Sequence, residues 1–177
     1  MNYKKYKISN KLKTDVWQYL NETNIGNRYE ANGNKEEQFV GLVGEIIIKY
    51  LFDIKHEWKK GFDGGYDFIY KGFKIDVKTM GRNVDVQDYF VNNFIAFQKS
   101  YDCDIYIFCS LNKQTSELSV CGYLGKKQLL KLATLYKKGD TRTRTNGTTF
   151  KMKTDTYEIK NNKLKNIEKL FYYLPKY

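Results

Sequence analysis

A chain of 177 residues with 41% hydrophobic and 29% charged content has neither a disordered nor a membrane composition, and no apolar run approaches the roughly 20 residues a spanning helix needs. Basic residues outnumber acidic ones by 31 to 20, a formal net charge of +11, which favours a polyanionic partner and points to nucleic acid. The length suits one domain, expected over 1–177 with a core at about 35–111 and a C-terminal extension at about 112–177.

Only Arg28, Arg82, Arg142 and Arg144 are arginines, so lysine supplies the other 27 of the 31 basic residues. Lysine meets phosphate as a point charge, which favours backbone contact over base reading. Cys103, Cys109 and Cys121 lie in apolar, strand-like runs without metal-site spacing. They read as buried free thiols, which a reducing, cytoplasmic setting would preserve. The N-terminal MNYKKYKISNKLK carries charge with no apolar stretch behind it, so no secretory signal is expected. His56 has no Cys or His at ligand spacing and is expected in a solvated loop.

In chain order, Leu12, Val16, Tyr19 and Leu20 recur at helical spacing within residues 10–22, and NETNIGNRYEANGN then reads as loop. Over residues 35–52, Phe39, Val43, Ile46, Ile47 and Tyr50 form a stripe that Val40, Leu42, Ile48 and Leu51 widen almost all round. Such a helix is largely buried. From Gln38 onward its one acid is Glu45 and its one base Lys49. A carboxylate in apolar surroundings needs a polar site on that flank or its i,i+4 partner Lys49; the sequence leaves both open.

Residues 66–70 and 73–79 are β-rich runs on either side of Lys71-Gly72, a two-residue hairpin turn. With Tyr70 opposite Phe73, counting outward sets Ile69 against Lys74, Phe68 against Ile75 and Asp67 against Asp76. Alternation then gives Asp67, Asp76 and Lys78 one face, and Phe68, Tyr70, Phe73, Ile75 and Val77 the face to be buried. Opposed carboxylates, with Cβ atoms about 4.5–5.5 Å apart, destabilise a sheet. A divalent cation would relieve them.

Beyond the hairpin, GRNVDVQDYFVNN reads as a loop ending in a short strand near 89–91, and 94–100 as a short helix. CDIYIFCSL and LSVCGYLG are strands joined by the polar NKQTSE, and GKKQLLKLATLYKKG is an amphipathic helix up to Gly139. DTRTRTNGTTFKMKTDTYEI follows as a basic loop with one or two strands, and KLKNIEKLFYYL as a final helix. The order predicts a mixed α/β domain around a small sheet.

An acid-x-lysine triplet occurs four times, as DIK, EWK, DVK and EIK. Only DVK (76–78) lies on a confident strand with an aspartate opposite it and a buried helix carrying Glu45 before it. Together these residues resemble the PD-(D/E)XK nuclease superfamily, whose restriction-endonuclease-like core is a small mixed sheet flanked by helices. Glu45 corresponds to the acid of its first core helix, Asp67 to its first motif aspartate, and Asp76 and Lys78 to its second motif. Tyr66 stands where the name has proline, and the strand at 103–109 would complete the core. A looser similarity links IDVKT and GYLGKKQLL to small phage- and plasmid-type members.

The resemblance implies Mg²⁺-dependent hydrolysis of DNA phosphodiester bonds, with Mn²⁺ able to substitute, leaving 5′-phosphate and 3′-hydroxyl ends. It implies metal ligation by Asp67, Asp76 and the Val77 carbonyl, with Glu45 joining directly or through water, and Lys78 orienting the nucleophile. An endonuclease of phage or mobile-element DNA processing is the expectation. Gln98, followed by Tyr101, is similar to a glutamine of some exonuclease-like members. Carboxylates independently suit Mg²⁺ as hard oxygen donors, and a neighbouring lysine suits activation of water for in-line attack. Asp63 is an alternative ligand, or the cap of the DGG turn. Arg82, Arg142, Arg144, Lys151 and Lys153 read either as phosphate contacts along a backbone or as a merely solvated basic loop, and the sequence leaves both open. Two blander readings stand beside these: a surface ion-pair cluster at Asp67, Asp76 and Lys78, and an inactive nuclease fold that only binds nucleic acid. A homodimer would suit paired cuts, and the sequence names no interface for it.

Overall fold

Ser9 accepts the Leu12 N–H and Asn34 accepts the Glu37 N–H. These side-chain caps start helices α1 (Asn10–Glu22) and α2 (Lys35–Leu51) where the hydrophobic periodicity predicts them. At α2, Glu37 also reaches back to the Asn34 N–H, completing a capping box. The computed structural model describes residues 3–23, 25, 33–58, 64–144 and 147–173; most of the loop expected between the two helices lies outside them.

The central sheet has the order β1-β6-β5-β3-β2, with β1 Lys4–Lys7, β2 Phe68–Tyr70, β3 Phe73–Arg82, β5 Ile105–Asn112 and β6 Glu117–Gly125. Strands β3 and β5 run parallel, and the remaining pairs are antiparallel. All eight residues of β5 are buried, as a strand covered on both faces requires. On one face Ile75, Val77, Ile105 and Ile107 meet Val16, Leu20, Val43 and Ile46 of the helices, with Ile167 and Leu170 of α4 (Ile167–Tyr173). On the other, Tyr106, Phe108 and Leu124 meet Phe94, Ile159 and Leu129. These come from a second sheet, ordered β4-β10-β7 (Val91–Ile95, Thr156–Lys160, Thr134–Tyr136), and from α3 (Lys126–Leu132).

Helix α2 approaches β3 closely enough that a Cβ on Gly44 would lie 1.8 Å from Thr79 Oγ1 and 2.9 Å from Thr79 Cβ. Glycine is therefore what lets the helix reach the strand. The contact fixes the position of Glu45, one residue on, relative to Lys78, one residue back.

Several expectations shift. The short strand after the hairpin is Val91–Ile95, and the short helix is a 3-10 turn, Ala96–Ser100. The helix expected up to Gly139 ends at Leu132, because the β-prone Thr134-Leu135-Tyr136 pairs with β10. In the tail, β8 (Thr141–Thr143) and β9 (Thr149–Lys151) form a hairpin of their own. Strand β6 belongs to the central sheet rather than to an extension, and β1 on its far edge was not legible in KKYK. Phe73, expected on the buried face, is 37% exposed. Among the described residues no helix is long and apolar enough to cross a membrane.

Candidate active site

Lys71 and Gly72 have φ of 47° and 81°, as the tight turn of a two-residue hairpin demands. The register is the expected one for Tyr70↔Phe73, Ile69↔Lys74 and Phe68↔Ile75. The fourth pair, Asp67 against Asp76, does not form. Instead the Asp67 N–H donates to the Ile75 carbonyl at 2.8 Å, and the Val77 N–H donates to Asp67 Oδ2 at 2.6 Å. The side chain of Asp67 thus continues the ladder where its backbone leaves it, which sets its carboxylate against the Asp76–Val77 peptide. Such a charge-assisted bond contributes about 1.5–3 kcal/mol.

The chain leaves the ladder because Gly64 and Gly65 precede Asp67 at φ of 82° and 92°. A Cβ on Gly65 would lie 2.7 Å from Cβ and Cγ of Tyr101. The start of the hairpin is therefore pressed against Tyr101.

Asp76 Oδ2 and Lys78 Nζ are 2.7 Å apart, with side chains only 6% and 16% exposed. Alternation turns both toward the second sheet, so Asp76 is buried and Lys78 half-buried beside it. Burial and then the Asp76 carboxylate push the neighbouring Cys103 thiol up to about 12. Burial, Cys103 and Asp76 likewise raise the Tyr106 phenol. From sequence Cys103 reads only as a buried free thiol, which it is, and Tyr106 is not singled out. Their place beside the pair follows from the parallel register Asp76↔Tyr106, which no local pattern reveals.

Glu45 lies on the other side of β3, since α2 covers the face of Ile75, Val77 and Thr79. Its Oε1 is 2.5 Å from Lys49 Nζ, the i,i+4 partner, and 3.6 Å from His56 Nδ1. His56 is not in a solvated loop: its side chain is 7% exposed and meets Trp58 edge-on at 4.7 Å. Burial first, then the Lys49 charge, lowers its pKa to about 4. Strand β2 is only three residues long, so beyond Val77 that edge of β3 is without a strand partner among the described residues. Among the described residues, no three His, Cys, Asp or Glu side chains are grouped to hold a metal ion, and Asp63 lies outside those residues.

The basic residues divide. Arg82 donates to the Val91 carbonyl at 2.6 Å and lies 4.4 Å over the Phe90 ring, tying β3 to β4. Arg142 holds Glu158 Oε2 at 3.1 and 2.5 Å and covers Tyr136. These two guanidinium groups serve the fold, because each satisfies a partner inside it. Arg144, stacked over Phe150, is exposed, as are Lys151 and Lys153. Gln98 is 4% exposed in the 3-10 turn, and its carbonyl accepts the Tyr101 N–H at 3.0 Å. Compared with family models, curated proteins and solved structures, the chain has no match.

Proposed function

We propose that the chain is a Mg²⁺-dependent DNA nuclease of restriction-endonuclease-like fold, cutting phosphodiester bonds to leave 5′-phosphate ends. The observation that carries this reading is the pair of buried Asp76 and half-buried Lys78, with the Asp67 carboxylate on the Val77 N–H at an open strand edge. Burying an ion pair seldom stabilises a fold more than apolar residues would. Charged groups held in a largely desolvated site therefore favour a chemical role.

The donor set suits the metal: Mg²⁺ takes one or two carboxylates and fills its remaining positions with water and phosphate oxygens. Asp67, Asp76 and the Val77 carbonyl would hold it, with Glu45 assisting. When bound, the cation would polarise the scissile phosphate and acidify a water molecule. The Val77 N–H fixes the orientation of Asp67. Asp76 holds the Lys78 ammonium where it can orient the attacking water and meet the phosphate charge. The exposed Arg144 and Lys151 would follow the DNA backbone.

The test is a gel assay on supercoiled, linear, single-stranded and four-way-junction DNA with Mg²⁺, Mn²⁺ or EDTA. Cutting that requires metal and is lost in Asp76→Ala and Lys78→Ala, each folded by circular dichroism, supports the nuclease. Full activity in either variant removes this mechanism. Binding without cutting, undiminished in EDTA, would make the chain an inactive nuclease fold that acts by occupancy.

A further inference from the structure

Phe97, in the 3-10 turn, is 40% exposed although it is a large aromatic. Its ring meets Tyr101 at 5.8 Å between centroids and 77° between planes. Tyr101 in turn stands against Gly65, two residues before Asp67. A groove of about 370 Å³ opens beside Phe97, lined also by Ala96, Lys99, Lys138, Thr154 and Asp155. Its volume falls in the range of small-ligand sites, about 300–1,000 Å³.

The charge of the groove is positive. Its one acid, Asp155, already accepts from Lys137 Nζ at 2.8 Å and from the Lys138 N–H at 2.9 Å, and Lys137 holds its pKa down. Lys99 and Lys138 are exposed, and among the described residues no ion pair or hydrogen bond holds either ammonium. An exposed ring in the same groove as two exposed lysines matches an unpaired nucleotide, whose base stacks on an aromatic face while its phosphates meet the lysines. A continuous duplex keeps its base faces hidden.

We propose that this groove is a stacking subsite for one unpaired nucleotide of a DNA strand that continues past Tyr101 to Asp67 and Asp76. The substrate class is then single-stranded or locally unpaired DNA. That assignment of substrate rests on the nuclease reading; the subsite itself does not.

The test is fluorescence anisotropy in EDTA, where no turnover occurs, with a labelled oligo(dT) and a blunt duplex of equal length. Phe97→Leu keeps apolar bulk but removes the ring, and should weaken oligo(dT) binding roughly 5- to 150-fold, the range for one lost stack, with the duplex little changed. Phe97→Trp should bind oligo(dT) at least as well as the wild type. Lys99→Gln with Lys138→Gln should reduce the salt slope for oligo(dT) by about 0.7 per lost phosphate contact. Wild-type affinity of Phe97→Leu for oligo(dT), or an equal loss on both DNAs, overturns the subsite. Unchanged melting temperatures keep misfolding out of the comparison. Cleavage in Mg²⁺ is measured in parallel: no cutting with Phe97-dependent oligo(dT) binding sinks the nuclease reading alone, and cutting without a Phe97 effect sinks the subsite alone.

Discussion

Asp67 has two separable tasks in this reading, and Asp67→Asn parts them from Asp67→Ala. The Val77 N–H, half-buried, donates to Asp67 Oδ2 at 2.6 Å. Asparagine keeps an acceptor there and loses only the charge, the difference between a bond of about 1.5–3 and one of about 0.5–1.5 kcal/mol, so about 1 kcal/mol is expected. Alanine removes the acceptor and strands the donor, for about 1.5–3 kcal/mol. At about 2–4 °C per kcal/mol for a chain of this size, Tm should fall by about 2–4 °C in the first variant and about 3–12 °C in the second. Thermal unfolding by circular dichroism, with and without Mg²⁺, reads the cap, and the nicking assay reads the chemistry. Asp67→Asn should be folded, inactive and free of the metal-dependent rise in Tm that the wild type shows. Wild-type cutting by Asp67→Asn would refute its role as a ligand. A wild-type Tm for Asp67→Ala would refute the cap.

Arg142→Met and Arg144→Met should separate structure from binding. The first strands the buried Glu158 and should cost about 3–5 kcal/mol in urea unfolding; the second, at an exposed site, should stay within about 0.5 kcal/mol while weakening DNA binding. Equal stabilities would remove the structural assignment of Arg142. His56, lowered from 6.5 to about 4 in the folded chain, binds protons more readily when unfolded. Its contribution to stability is therefore present above pH 6.5 and is lost as pH falls toward 4, by about 3 kcal/mol. His56→Phe should flatten that part of the pH–stability curve, and an unchanged slope in the variant would show that another group sets it.

What was legible in the sequence was local. Helix α1 and the start of α2 follow from periodicity and caps, and the hairpin register follows from a turn whose two central residues both take positive φ. The failures came where distant chain competes with local pattern. KKYK becomes a strand only because β6 offers an edge for it. Thr134-Leu135-Tyr136 leaves the helical pattern because β10 is there to pair with. Asp67 follows the predicted register up to its own position, then yields to Gly64 and Gly65, both at positive φ, with Gly65 close against Tyr101. The side chain, and not the register, brings its carboxylate to the DVK strand.

The arginines give the sequence reading a sharper form. Lysine predominance favours backbone contact over base reading, and of the three described arginines, Arg82 and Arg142 are taken up by partners inside the fold. Bidentate reading of guanine needs an unengaged guanidinium fork, which those two do not offer. Lys99, Lys138, Lys151 and Lys153 instead present exposed charges, and Phe97 presents an exposed ring. Phosphate contact and stacking both tolerate any base. A nuclease built this way would select DNA by its shape and by whether its bases are unpaired, with little regard to their identity. A strict recognition sequence in the cleavage products would contradict that inference even if the metal chemistry at Asp67 and Asp76 were correct.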